Sequence, residues 1–235
     1  MNYYADLIGY RQAGTGSDLL LRLPEDVRGI IARQHIRKAE IVLDDGRHIS
    51  TEQRRKIYAT IRDISDYTGD PPEIAKEWQK YRYIEMSGRP YFSLSDCSMT
   101  VAKEFINSLM DYCLYNGIML TESGLMRTDD ISAYLVQCIV YKRCCICGRP
   151  AEIHHLDAIG MGNDRRVYDD SQNEIIALCR EHHTLAHSLG RPRFMERYKV
   201  YGIKRFEVYQ ARDKGCFYGL PEAEENDGKK SKRKG

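Results

Sequence analysis

The sequence predicts an α+β protein of two domains, in which a mixed N-terminal part of short strands and amphipathic helices precedes a smaller C-terminal module organised by metal ligands. Three observations predict it. The 235 residues exceed the roughly 150 typical of one domain, enough chain to bury a sizeable core. The apolar pattern changes from short strand-like runs before residue 45 to a helical period from Thr51 onward. Cysteine and histidine are also crowded: of seven histidines, His154, His155, His182, His183 and His187 fall in one stretch, together with Cys144, Cys145, Cys147 and Cys179.

Composition narrows the class. With 42% hydrophobic, 30% charged and 10% aromatic residues, disorder and collagen-like structure are excluded for most of the chain. No run approaches the roughly 18 apolar residues of a membrane span, and Met1 to Tyr10 lacks the pattern of a signal peptide. The expectation is a cytoplasmic protein with no membrane partner. In a reducing compartment, C-x2-C spacing points to metal or redox chemistry and not to a disulfide framework. A net charge of +2 decides little, because charge can be segregated into patches.

The elements follow in order. Tyr3 to Tyr10, Leu19 to Leu23 and Ala39 to Leu43 read as short strands, with Pro24 opening a short helix through Arg33. The glycines from Gly14 to Ser17 lack the lysine of a phosphate loop and read as a turn. From Thr51, Ile57, Ala59, Ile61, Ile64 and Tyr67 lie mainly along one helical face until Gly69, Pro71 and Pro72 stop it, and a shorter helix spans Ile74 to Ile84. Ala102, Phe105, Ile106, Leu109 and Cys113 predict a core-facing helix over Thr100 to Tyr115, closed by Asn116 and Gly117. Polar residues from Thr121 to Asp130 mark the expected domain boundary. The last fifteen residues run from acidic to basic with almost nothing apolar, as a solubilising or phosphate-contacting tail would.

Cys144 and Cys147 form one C-x2-C pair, and Cys179 with His182 repeats the spacing, which is how two knuckles supply four tetrahedral zinc ligands. Cys145 is the alternative to Cys144. Glu152 to His155 suits a short strand, on which adjacent side chains face opposite ways, so His154 and His155 should have different roles. On a helix from Arg180 to Ser188, closed by Gly190 and Pro192, His183 and His187 share a face. One strand histidine with this helical pair makes a second metal site with open positions. The other strand histidine is left as a candidate general base.

The order C-x2-C, His154-His155, Asn173, Cys179-x2-His182-His183 and His187 resembles the HNH nuclease family and its ββα-metal fold. The resemblance implies that His154, His183 and His187 hold a catalytic divalent metal, magnesium or manganese foremost, with zinc or nickel as further candidates. It implies that His155 is the general base and that Asn173 steadies the loop carrying it. The second knuckle departs from the commoner cysteine pair, which leaves open whether His182 or His183 binds the structural zinc. The chemistry implied is phosphodiester hydrolysis, with Arg165, Arg166 and Arg180 near the site as candidates for flanking phosphates.

The segment Arg47 to Ala59, and a second from Ser95 to Ile118, resemble the NinB/Orf family of phage recombination proteins. The combined layout is similar to the HNHc nucleases of phages infecting Gram-positive bacteria. It implies a mixed α/β Orf-like DNA-binding domain over residues 1–128, a zinc-stabilised ββα-metal domain over 129–220, and a charged tail over 221–235. The implied partners are single-stranded or branched DNA, a second copy of the chain, and a host or phage single-strand binding protein, in the cytoplasm of the bacterial host. Charge agrees in part: from Arg33 to Arg62 bases outnumber acids, with Arg54, Arg55 and Lys56 at the centre. Tyr58, Tyr67, Trp78, Tyr81 and Tyr83 could stack on bases, although most are expected in the core. His35 and His48 read as structural or surface residues. One rival reading is a non-catalytic DNA-binding mediator with a purely structural zinc; a second is a homing or restriction nuclease.

Overall fold

The computed structural model describes residues 3, 5–39, 41, 46–156 and 171–213. Strands β1 (Asp6–Ala13) and β2 (Gly16–Arg22) form an antiparallel hairpin, and Gly14, at φ +59°, turns the chain between them where a side chain would be strained. Helix α1 (Arg28–Gln34) follows, with His35 as its left-handed C-cap. Both early strands and the turn at Gly14 are present, but β1 runs from Asp6 to Ala13 instead of Tyr3 to Tyr10, and the short helix begins at Arg28, four residues after the Pro24 expected to open it, because residues 24–27 form an irregular turn; the run from Ala39 to Leu43 lies mostly outside the described residues.

The helical layer is α2 (Thr51–Thr68), α3 (Pro72–Ser87) and α4 (Met99–Asn116). Ser50 accepts from the Gln53 N–H while Gln53 returns a bond to the Ser50 N–H, a capping box that fixes where α2 begins. Gly69 and Gly117, at φ +80° and +68°, end α2 and α4 where the sequence placed its stops. Every apolar residue of the expected α4 stripe is buried, and α4 packs against both α2 and α3. His48 is structural: its Nδ1 lies 2.7 Å from the Asp96 carbonyl, beside an isolated strand bridge to Ser98.

One expectation is corrected here. Among the five aromatics assigned mainly to the core, only Tyr83 is buried; Tyr58, Tyr67, Trp78 and Tyr81 are exposed, Trp78 by 68%. They lie on the outer faces of α2 and α3, whose inner faces are already filled by Ile57, Ile61, Ile64 and Ala75.

The segment after α4 is a packed connection. Helix α5 (Gly124–Arg127) buries Arg127, which pairs with Asp63 on α2 at 3.3 Å and with Glu122 at 3.1 Å. Helix α6 (Ile131–Val140) follows and is buried from Tyr134 through Ile139. The Tyr134 ring fills the space over Gly124, where an added Cβ would overlap its hydroxyl. Beyond α6 come β3 (Glu152–His155), β4 (Glu174–Leu178), α7 (Arg180–Leu189), α8 (Arg191–Tyr198), β5 (Ile203–Lys204) and α9 (Arg205–Asp213). The three strands form an antiparallel sheet in the order β3-β4-β5. Because α6 contacts α4 on one side and β4 and α9 on the other, one hydrophobic cluster runs from Ile49 to Val208. The chain is thus a mixed α+β protein with small sheets. Among the described residues, no helix is long and apolar enough to cross a membrane.

Candidate metal centre

A tight turn presents the first two ligands. The Cys144 N–H donates to the Arg149 carbonyl and the Gly148 N–H to the Cys144 carbonyl, both at 2.8 Å, with Gly148 at φ +70° closing the loop. The Cys145 N–H donates to the Ala177 carbonyl, which fastens this turn to β4. Cys179 occupies the N-cap position of α7 in extended conformation, so its thiol lies at the positive end of the helix and His182 sits one turn in.

Four ligand atoms converge. Cys144, Cys147, Cys179 and His182 bring theirs within 4.8 Å of one another. The Cys147 and Cys179 sulfurs are 3.7 Å apart, and His182 Nδ1 lies 3.5 Å from Cys144 Sγ and 3.2 Å from Cys179 Sγ. Tetrahedral zinc with its usual bond lengths requires edges of about 3.8 Å between sulfurs and about 3.6 Å between sulfur and nitrogen. The donor set and its spacing therefore fit zinc. Cys145 stands outside the group, buried beside Tyr134 and Cys138, with burial pushing its thiol well up.

Three further histidines meet alongside. The His154 ring centroid lies 4.5 Å from that of His183 and 4.9 Å from that of His187, and their ligand nitrogens fall within 4.8 Å of one another. The helical spacing of four stacks His183 and His187 with rings inclined by only 30°. His154 reaches them from β3, where it stands opposite Ile176. Burial first, then the neighbouring imidazoles, lowers the His154 pKa to about 4, so its ring is neutral with a lone pair available at ordinary pH. Glu152 Oε2 lies 3.9 Å from His183 Nδ1, beyond hydrogen-bond distance, with its carboxylate exposed. A triad of imidazoles with one exposed member suits a divalent cation that keeps open positions.

His155, the next residue on β3, is exposed and belongs to the opposite strand face, paired in register with Ile175. Asn173 is buried immediately before β4; its carbonyl accepts from the Arg205 N–H, and the next carbonyl, that of Glu174, accepts from the Leu156 N–H just past His155. Asn173 therefore adjoins the end of the strand pair that carries His155.

Arg149 belongs to the site and was missed by sequence reasoning. Its Nε donates to Cys147 Sγ at 3.4 Å, and its guanidinium grips Glu181 in the first turn of α7, with one contact at 3.0 Å. Burial raises the Cys147 thiol, but the hydrogen bonds from Arg149 and the neighbouring thiols outweigh it and hold the pKa below the ordinary value. A basic residue two positions after a knuckle cysteine was the available signal. Tyr198 on α8 also lies edge-on to His182, with centroids 5.5 Å apart.

The candidate DNA contacts have separate fates. Arg180 is exposed at the start of α7, whereas Arg165, Arg166 and the tail from residue 221 lie outside the described residues. Arg54 donates to the Leu94 and Ser95 carbonyls at 3.0 and 2.7 Å. Lys56 donates to the Thr128 carbonyl at 2.8 Å and pairs with Asp129 at 3.2 Å. Arg55 pairs with Glu52 at 2.9 Å, and 53% of its side chain remains exposed.

An α+β chain in which a cysteine turn, a short strand and a helix bring together one group of three cysteines and a histidine and one group of three histidines defines a protein equipped to hold metal. Residues 21–211 match the family described as Putative HNHc nuclease, and the chain belongs to that family, a family of nucleases. No curated protein and no solved structure matches it.

Proposed function

We propose that the chain is a metal-dependent HNH endonuclease that hydrolyses DNA phosphodiester bonds, with β3, β4 and α7 as its ββα-metal unit. The observation that carries this reading is the pair on β3: His154 turns to the imidazoles of α7 while His155, one residue on, is presented to solvent. His155 acts as the general base and takes a proton from the attacking water. His154, His183 and His187 hold the divalent cation, magnesium or manganese foremost, whose charge when bound stabilises the phosphate and the leaving oxygen. Cys144, Cys147, Cys179 and His182 hold zinc and so fix α7 against the turn before β3. Asn173 steadies the strand end beside His155, and Arg180, Arg165 and Arg166 hold flanking phosphates.

The N-terminal part, to about residue 128, acts as an Orf-like single-strand DNA-binding region, in phage recombination or replication in the bacterial cytoplasm, as a homodimer and alongside a single-strand binding protein. Of Arg54, Arg55 and Lys56, the exposed Arg55 is best placed to meet a phosphate, since the other two are engaged with backbone carbonyls. The deciding experiment offers single-stranded, duplex, flap and four-way-junction DNA to one preparation, with EDTA or with added magnesium or manganese. Metal-dependent, EDTA-sensitive cleavage favouring single-stranded or branched DNA is expected. Binding without cleavage under every metal would overturn the nuclease reading in favour of a structural zinc module.

A further inference from the structure

We propose that α8 and the turn after it form a cationic ridge that holds the phosphate backbone of DNA beside the metal groups, with Arg193, Arg197 and Lys199 as its cations. This ridge serves the nuclease reading above, on which the proposal rests: it is where the nuclease part grips its own substrate. The whole chain is nearly neutral, with 36 basic and 34 acidic residues, yet from Ser188 to Lys204 five basic residues stand against one acid, Glu196. Such local segregation creates the field that attracts a polyanion.

Helix α8 turns one side inward. Phe194 is buried, and Tyr198 packs against it one turn later with ring centroids 4.9 Å apart. Arg193 and Arg197 repeat that spacing one residue earlier and are exposed, so they form a line along the outside. Lys199, the left-handed C-cap at φ +53°, is exposed just beyond. Among the described residues, none of these three cations pairs with an acid, whereas Arg191 is spent on Glu174 at the start of β4.

Helix stability does not account for this arrangement. The first turn of α8 contains no acid and begins with Arg191 and Arg193, although a cation at a helix N-terminus opposes the dipole. For a phosphate the two effects add, since the positive helix end and the unpaired guanidinium of Arg193 both attract it.

The ridge is fixed close to the metal groups. Tyr198 lies edge-on to His182, and Arg191 ties the start of α8 to β4. Arg193 follows His187 by six residues, so their Cα atoms are at most about 22 Å apart. A DNA strand rises about 3.4 Å per phosphate, so one short stretch of DNA spans both. Tyr201, 46% exposed between the buried Val200 and Ile203, adds a ring on which an unpaired base can stack. A lipid surface fits less well, because the apolar side of α8 is already turned into the core at Phe194.

Fluorescence anisotropy across a salt series tests the ridge, using the full zinc-loaded chain, no second divalent metal, and labelled single-stranded and duplex oligonucleotides. Arg193→Gln with Arg197→Gln should reduce the slope of log affinity against log salt by about 1.4 for the single strand and about 1.8 for the duplex. Glu196→Gln should tighten binding roughly twofold, the worth of one unit charge about 8 Å away in water. A structural role for α8 would not produce that gain, and Glu196→Gln alone decides if melting and zinc content show the double variant to be unfolded. An unchanged slope in a folded double variant would overturn the ridge, as would unchanged affinity in Glu196→Gln. Failure of the unsubstituted chain to bind either DNA would overturn the nuclease reading itself. Binding to phosphatidylserine vesicles that the double variant loses, with its DNA slopes unchanged, would assign α8 to a lipid surface and overturn the proposal.

Discussion

His182 and His183 are consecutive in α7 yet belong to different ligand groups: His182 Nδ1 lies 3.2 Å from Cys179 Sγ, while the His183 ring stands 4.5 Å from that of His154. One helical residue advances the side chain by about 100°, so whatever holds His182 also sets the direction of His183 and, one turn later, His187. The cysteine group thereby positions the imidazole group through a rigid helix. Arg149 reinforces this by joining the Cys147 turn to Glu181 on the same helix.

Zinc content should follow membership of the cysteine group. Cys144→Ser and Cys179→Ser should lose zinc and lower the melting temperature, because structural zinc binding is coupled to folding. Cys145→Ser should keep one zinc per chain, since Cys145 is excluded from the group. Elemental analysis with thermal melts distinguishes these outcomes, and zinc retained by Cys144→Ser would refute the four-ligand assignment.

Removing the proposed base, His155, should leave both ligand groups intact. His155→Ala is expected to lower turnover by about a hundredfold to ten-thousandfold, with zinc content and binding of the second metal unchanged. His183→Ala should instead lose the second metal and keep zinc. Calorimetric titration with manganese, run beside the cleavage assay, separates these two kinds of loss; near wild-type turnover in His155→Ala would remove it from the role of base.

Acidification should weaken the fold through His154. Burial and the adjacent imidazoles depress its pKa to about 4 from the ordinary 6.5, so the unfolded chain takes the proton first as pH falls. The stability this group contributes is complete above about 6.5 and is lost as pH falls toward and through 4. Denaturation of zinc-loaded protein without a second metal should therefore show a larger drop between about pH 7.5 and pH 5 for wild type than for His154→Gln. Equal drops in the two proteins would contradict it.

Helices α2 and α4 were legible in the sequence because each buries one face and ends at a glycine, so period and stop agree, whereas α7, with Ala186 alone buried, was legible from the spacing of His183 and His187 and the stop at Gly190. The residues that could hold metal were brought together largely by local spacing, C-x2-C in a turn and four residues along a helix, while His154 joins them from a strand. Helix α6 was not, because a run buried from Tyr134 to Ile139 shows no alternation of apolar and polar faces. Arg149 with Glu181, and Lys56 with Asp129, were invisible for a different reason. Such pairs join residues distant in the chain, and only the fold sets which charges are spent internally. The same limit misplaced Tyr58, Tyr67, Trp78 and Tyr81, since an aromatic on a helix enters the core only if another element packs there.

The internal engagement of those cations changes how the proposed DNA interface should be tested. Reversing charge at Lys56 would break its bond to the Thr128 carbonyl and its pair with Asp129, and reversal at Arg54 would release the Leu94 and Ser95 carbonyls. Weaker binding in either variant would confuse folding with recognition. Arg55 is different: its partner Glu52 is half exposed, and an exposed pair of this kind contributes little to stability. Arg55→Gln should therefore leave the melting temperature and zinc content unchanged while weakening binding of single-stranded oligonucleotides. Removing one cation from a phosphate should reduce the slope of log affinity against log salt by about 0.7. Fluorescence anisotropy across a salt series measures both quantities in one titration. Unchanged affinity with unchanged slope would exclude Arg55 from the interface, leaving α2 as scaffold and moving the search for phosphate-binding groups to Arg180 beside the metal centre.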